Sequence, residues 1–128
     1  MKTLVVYLSQ SQMGYVTMLR FLLQTKSNSG FLNEIMNLGS GALESGQMFG
    51  EATLAKAILR LIPESGRKVR FTTKLCDREY NRFWKLSKEL GTITKNRTLM
   101  ALCFLTEKRM KASIIIALRD AINESTIA

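Results

Sequence analysis

Histidine is missing from these 128 residues, and with it go Ser-His-Asp and Cys-His catalytic arrangements and every His-ligated metal site. Cysteine is nearly as scarce: Cys76 and Cys103 lie too far apart for a CxxC pair, which argues against a zinc knuckle or a thioredoxin-type motif. Cys103 sits in an apolar helical run and reads as core, whereas Cys76 follows a strand and reads as partly exposed. No Gly-x-x-x-x-Gly-Lys-Ser/Thr loop occurs, and Gly39-Ser-Gly41 reads as a flexible stretch. Long apolar runs are lacking as well. Ala112–Leu118 is short and bounded by Lys111 and Arg119, so no segment is expected to span a bilayer. The opening Met-Lys-Thr-Leu-Val-Val-Tyr-Leu-Ser has too brief an apolar stretch for a signal peptide, and no small-residue cleavage site follows closely. The expectation is a cytoplasmic protein with no catalytic residues, metal or cofactor.

Acidic residues are the scarcer charge, 10 against 19 basic, and the imbalance is local. Residues 1–66 carry Lys2, Arg20, Lys26, Lys56 and Arg60 against Glu34, Glu44, Glu51 and Glu64, so nearly all of the net charge of +9 resides in residues 67–128. Charge concentrated in one half points to a polyanionic partner, the alternative being a generally basic, soluble protein. With 46% hydrophobic residues a folded core is feasible, as one compact domain or as two small halves sharing a core.

The segment Val69–Leu75 alternates, placing Phe71, Thr73 and Leu75 on one face of a strand and Arg70, Thr72 and Lys74 on the other. An Arg-Thr-Lys row is a set of regularly spaced donors suited to the major groove, or else the charged face of an edge strand protected from aggregation. From Asp77 to Leu90 the apolar positions Tyr80, Phe83, Trp84, Leu86 and Leu90 predict a helix. Asp77 and Glu79 favour its positive end, and Gly91 would close it in a left-handed conformation. Thr94 is then an N-cap for a further helix with Leu99, Leu102, Cys103 and Thr106 facing inward.

The N-terminal segment repeats this plan. An ungapped shift of 67 residues lays Leu8 on Leu75, Leu19 on Leu86, Leu23 on Leu90, Thr25 on Thr92, Leu32 on Leu99 and Leu38 on Leu105, and brings Ser27 onto the N-cap Thr94. Between the repeats lie a Gly/Ser-rich stretch, Gly39–Gly50, and a short amphipathic helix at about Glu51–Leu61, terminated by Pro63 and Gly66. After Lys111, Ala112–Ile122 reads as another helix with Ile114, Leu118 and Ile122 on one stripe, either a packing face or a partner surface.

Strand, helix, the turn Gly91-Thr-Ile-Thr-Lys95 and a second helix over Arg67–Met110 resemble the ribbon-helix-helix DNA-binding family, which includes the Arc and MetJ repressors and CopG-like regulators. The resemblance implies a mainly α fold with a two-stranded antiparallel β-ribbon, here a tandem pseudo-dimer in which Thr3–Leu8 supplies the other strand. The divisions would be a first half at 1–46, a linker with a short helix at 47–66, a second half at 67–110 and a helical extension at 111–128. Two such units in one chain are similar to TraY-type accessory proteins, which bind near a plasmid transfer origin and help to assemble the relaxosome. Carried over by position, Arg70, Thr72 and Lys74 become base readers, joined by Thr3, Val5 and Tyr7 from the first strand. Thr94, Lys95 and Asn96 become a phosphate clamp, with Ser27, Asn28, Lys2, Arg67 and Lys68 as further phosphate contacts. The first strand offers fewer donors, Gly14 interrupts the first helix, Gly30 stands where the second repeat has Arg97, and the turn is about one residue longer than usual. These departures predict an asymmetric ribbon that reads a non-palindromic site mostly through its second half, and equally permit a first half that only completes the fold.

The expected function is therefore sequence-specific binding of double-stranded DNA, as a transfer-origin accessory factor acting with a relaxase or other conjugation proteins, or as a transcriptional repressor, with self-association on DNA open. The alternative of another class is a helical adaptor or assembly protein with a basic surface. Its partner surfaces would be the stripes Met13, Val16, Leu19, Leu23 and Ile114, Leu118, Ile122, and Val69–Leu75 need not then be a strand.

Overall fold

The computed structural model describes residues 1–44, 66–92 and 94–110. The proposed linker helix at Glu51–Leu61 and the extension at 111–128, with Ile114, Leu118 and Ile122, lie outside the described residues.

Alternating apolar residues make the strand β1, Lys2–Ser9, whose Leu4, Val6 and Leu8 are buried. It pairs antiparallel with β2, Lys68–Leu75, to give a two-stranded sheet in which Thr3 faces Lys74, Val5 faces Thr72 and Tyr7 faces Arg70. Phe71, Thr73 and Leu75 point inward, as the alternation predicts. A slip of one residue would exchange the buried and exposed rows of a strand, so burial of five large apolar side chains, Leu4, Val6, Leu8, Phe71 and Leu75, fixes the register.

Each strand runs directly into a helix. Ser9 caps α1 (Gln10–Leu22) through a reciprocal box: its hydroxyl accepts from the Gln12 amide at 3.2 Å, and Gln12 Oε1 accepts from the Ser9 amide at 2.9 Å. Cys76 precedes α3 (Asp77–Leu90) in the same way, with Glu79 Oε1 accepting from the Cys76 amide at 2.9 Å. Gly91, with φ of 66°, closes α3 in the left-handed region as expected. The corresponding turn after α1 uses Gln24, a non-glycine residue with φ of 56°. Thr25 and Thr92 then return their amides to the carbonyls of Arg20 and Ser87, each at 3.1 Å.

The helices α2 (Asn28–Glu44) and α4 (residues 95–110) form much of the interior. Ser27 Oγ accepts from the Gly30 amide at 3.1 Å and Thr94 Oγ1 from the Arg97 amide at 3.2 Å, so both expected N-caps are made. The middle of α4 is buried on nearly all sides, through Thr98, Leu99, Met100, Ala101, Leu102, Cys103, Leu105 and Thr106. Gly39-Ser-Gly41, expected to be flexible, is helical. A Cβ on Gly39 would come within 2.9 Å of Leu102 Cδ2 and 3.7 Å of Leu102 Cα, so this glycine serves a close approach of α2 to α4. The Met13, Val16, Leu19, Leu23 stripe belongs to the core as well: Val16 and Leu19 are fully enclosed, and Met13 and Leu23 pack against them. The chain is thus mainly helical, with a two-stranded antiparallel sheet joining its N-terminus to its middle.

Among the described residues two buried side-chain atoms lack a hydrogen-bond partner, Arg20 Nε and Thr73 Oγ1. Thr73 Oγ1 lies in the core opposite Leu4 with no hydrogen-bond partner. Leaving a buried hydroxyl unpaired costs about 1–3 kcal/mol, and valine preserves its shape. Thr73→Val is therefore expected to stabilise the protein by about 1 kcal/mol, seen as a higher urea midpoint with an unchanged denaturant slope.

Candidate nucleic-acid interface

The face of the sheet turned away from the core carries Thr3, Val5 and Tyr7 from β1 and Arg70, Thr72 and Lys74 from β2. All six expected base readers therefore share one surface. Thr3, Arg70 and Lys74 are exposed, Tyr7 is 57% exposed, and Val5 and Thr72 are half-buried at the centre. The antiparallel register distributes the two cations of β2: Arg70 stands beside Tyr7 at one end of the row, and Lys74 beside Thr3 at the other. The second strand does not hold its charge over one end alone.

Two helix N-termini are fastened to this sheet, one to each strand. Asn28, the first residue of α2, donates from Nδ2 to the Thr72 carbonyl at 2.8 Å and accepts from Arg20 Nη1 at 2.8 Å. Asn96, in the first turn of α4, donates from Nδ2 to the Tyr7 carbonyl at 2.8 Å. Asn96 also forms a paired-amide contact with Gln12: Gln12 Nε2 donates to Asn96 Oδ1 at 3.0 Å, and Asn96 Nδ2 donates to Gln12 Oε1 at 2.8 Å. The side chains of Asn28 and Asn96, expected at phosphates, thus hold the helices on the strands. The side chains these helix ends turn toward solvent are those of Ser27, Thr94 and Lys95. First-turn amides have no acceptor within their helix and sit at its positive end, an arrangement that attracts anions.

The remaining expected phosphate contacts are spread around the same region. Arg67 and Lys68 are exposed where the chain enters β2. Lys2 is exposed but lies away from the outward row, its Nζ 5.0 Å from the centre of the Tyr80 ring, a cation–π contact that anchors it to α3. Residues 2–9, 26–28, 67–75 and 94–97 include no acidic side chain, so the strands and helix starts themselves contribute positive charge only. Among the described residues no group of three His, Cys, Asp or Glu is placed to hold a metal, and no helix is long and apolar enough to cross a membrane.

Sequence reasoning missed Gln12 and the positioning role of the two asparagines. Gln12 is fully buried and serves two helices, capping α1 and gripping the start of α4. Glu79 occupies the matching place in α3, where it also takes a hydrogen bond from Asn33 of α2. Hydrogen bonds from the Cys76 thiol, the Cys76 amide and Asn33 hold the Glu79 carboxyl below its usual range, so it remains an acceptor at neutral pH. The detectable signal was Ser9-x-x-Gln12 against Cys76-x-x-Glu79, two box-like patterns at the 67-residue offset.

Comparison of the chain with protein families, curated proteins and solved structures finds no match in any of the three. The functional reading therefore rests on the surface itself.

Truncating Asn96 would strip Gln12 of its amide partner inside the protein. Asn96→Ala is expected to cost about 1–3 kcal/mol of stability, and to speed amide exchange in the first turn of α4 more than in α1, measured by native-state hydrogen exchange.

Proposed function

We propose that the protein binds double-stranded DNA sequence-specifically by laying the β1–β2 ribbon in the major groove, without catalytic activity. The observation that carries this reading is the outward row Thr3, Val5, Tyr7, Arg70, Thr72 and Lys74, on two strands without acidic residues and with a helix N-terminus tied to each. The major groove admits a two-stranded ribbon, and its base edges offer acceptors to Arg and Lys, donors and acceptors to Thr, and thymine methyls to apolar groups. The positive N-terminal ends of α2 and α4, with Ser27, Thr94 and Lys95, would take backbone phosphates and fix the register of the ribbon on the duplex.

The architecture we assign is that of a tandem ribbon-helix-helix chain. Gln10 and Asp77 open α1 and α3 at an offset of 67 residues, and Asn28 and residue 95 open α2 and α4 at the same offset. The left-handed turn residues Gln24 and Gly91 keep that spacing. So does the strand pairing: Val5 faces Thr72, its own counterpart, and exchanging the two halves leaves every strand pair in place. These coincidences support a pseudo-dimer built from one chain. Its DNA target would be a plasmid transfer origin, where it assists a relaxase, with an operator bound by a transcriptional repressor as the close second.

Affinity is expected to fall steeply with salt, since phosphate neutralisation supplies much of it. Lys74→Ala should weaken the preferred site more than random DNA, by roughly 1–3 kcal/mol of lost discrimination, whereas Lys95→Ala should weaken both alike. Competition titrations at fixed salt measure both quantities. Equal losses for Lys74→Ala on every sequence would remove that residue from base reading.

A second reading is favoured by one separate observation. Met18, Phe21 and Leu22 are 45%, 82% and 52% exposed on α1, where α3 has Lys85, Lys88 and Glu89 at the 67-residue offset. Large apolar side chains grouped on a surface suit a protein contact, as an adaptor or assembly protein requires. Under that reading wild type forms assemblies that sedimentation resolves and Phe21→Ser disperses, while duplex DNA binds weakly and without preference. Wild type sedimenting as one unassembled species argues against self-assembly through this face.

A further inference from the structure

We infer that the duplex site of this ribbon is bipartite, with two unlike ends about four base pairs apart that are each anchored on a guanine, around a centre selected by methyl contact. The inference rests on the DNA-binding reading above and specifies what that surface recognises. Its source is the strand register. Antiparallel pairing sets Arg70 beside Tyr7 at one end, Val5 beside Thr72 in the middle, and Lys74 beside Thr3 at the other end.

Arg70 and Lys74 belong to one face of one strand, four residues apart, which corresponds to about 13 Å at about 3.3 Å per residue. Base pairs in B-DNA rise about 3.4 Å each, so the two cations stand over positions about four pairs apart. Arg and Lys both match the paired acceptors O6 and N7 of guanine, and Arg can engage them with two parallel hydrogen bonds. The Arg70 end is accordingly the stricter of the two. Tyr7 adds a phenol there that can donate or accept, and Thr3 adds a small hydroxyl at the Lys74 end. Between them Val5 and Thr72 present methyl groups side by side, both half-buried and neither charged. That centre complements the C5-methyl of thymine, and the Thr72 hydroxyl is the one hydrogen-bonding side-chain group it offers.

A ribbon made of two identical strands must present the same set at both ends and so reads a palindrome. This one cannot, because the 67-residue counterpart of Arg70 is Thr3 and that of Lys74 is Tyr7. Each end has one cation, and the two cations differ in geometry and in neighbour.

The test is selection from a randomised duplex library at physiological salt with wild type, Arg70→Ala and Lys74→Ala in parallel. Both substituted side chains are exposed, so circular dichroism should confirm an intact fold in each variant. Wild type is expected to enrich a non-palindromic motif with two guanines about four pairs apart flanking A·T pairs. Arg70→Ala should lose about tenfold or more of the preference at one guanine only, and Lys74→Ala a comparable preference at the other. Loss at the same position in both variants, or a palindromic wild-type motif, would overturn the bipartite site while leaving specific DNA binding intact. No motif from wild type would sink the DNA-binding reading, and the bipartite site with it.

Discussion

The pairing of Lys2–Ser9 with Lys68–Leu75 is the constraint on which the rest of the molecule depends. It closes a loop of 58 residues, 10–67, an entropic cost that must be met by what the closed strands then bury. Leu4, Val6, Leu8, Phe71 and Leu75 meet it by covering the helices from one side. At roughly 1.5–3 kcal/mol for each fully buried large apolar side chain, that row outweighs the closure term. The same register that buries these five sets the opposite row in order on the surface. Core and candidate site are two faces of one choice.

The helices are bound to the strands by polar contacts as well as by packing. Asn28 reaches the carbonyl of Thr72, Asn96 that of Tyr7, and Gln12 and Glu79 each combine capping of their own helix with a grip on an asparagine of α4 or α2. Each of these contacts runs between residues at least 44 positions apart. Local capping and long-range docking are thereby made by the same atoms. Phe31 and Phe71 meet edge to face with ring centres 6.4 Å apart, adding an aromatic contact between α2 and the sheet.

Much of this was legible because it obeys local rules. Alternation in Val69–Leu75 marks a strand, helical spacing marks α3, and Gly91, Ser27 and Thr94 are residue types suited to the caps they form. What escaped did so for physical reasons. Gln24 adopts a left-handed conformation that its residue type does not advertise, held by the Thr25 amide returning to Arg20. Gly39 looks like a breaker in sequence, yet its missing Cβ makes room for Leu102, a requirement that exists only once α2 and α4 have met. The asparagines at the candidate site look like phosphate donors until the strand carbonyls beside them are known. Even the six outward residues, correctly grouped by alternation, revealed their division into two ends only through the register.

Both strands of the sheet belong to a single polypeptide, and this changes the arithmetic of occupancy. A ribbon shared between two subunits comes apart on dilution, so its concentration falls with the square of the monomer's when monomer predominates. Here assembly of the ribbon is unimolecular and persists at any dilution at which the chain is folded. The covalent tie also frees each strand from the other's sequence. A substitution at position 70 leaves position 3 untouched, so the two edges of the surface are able to change one at a time.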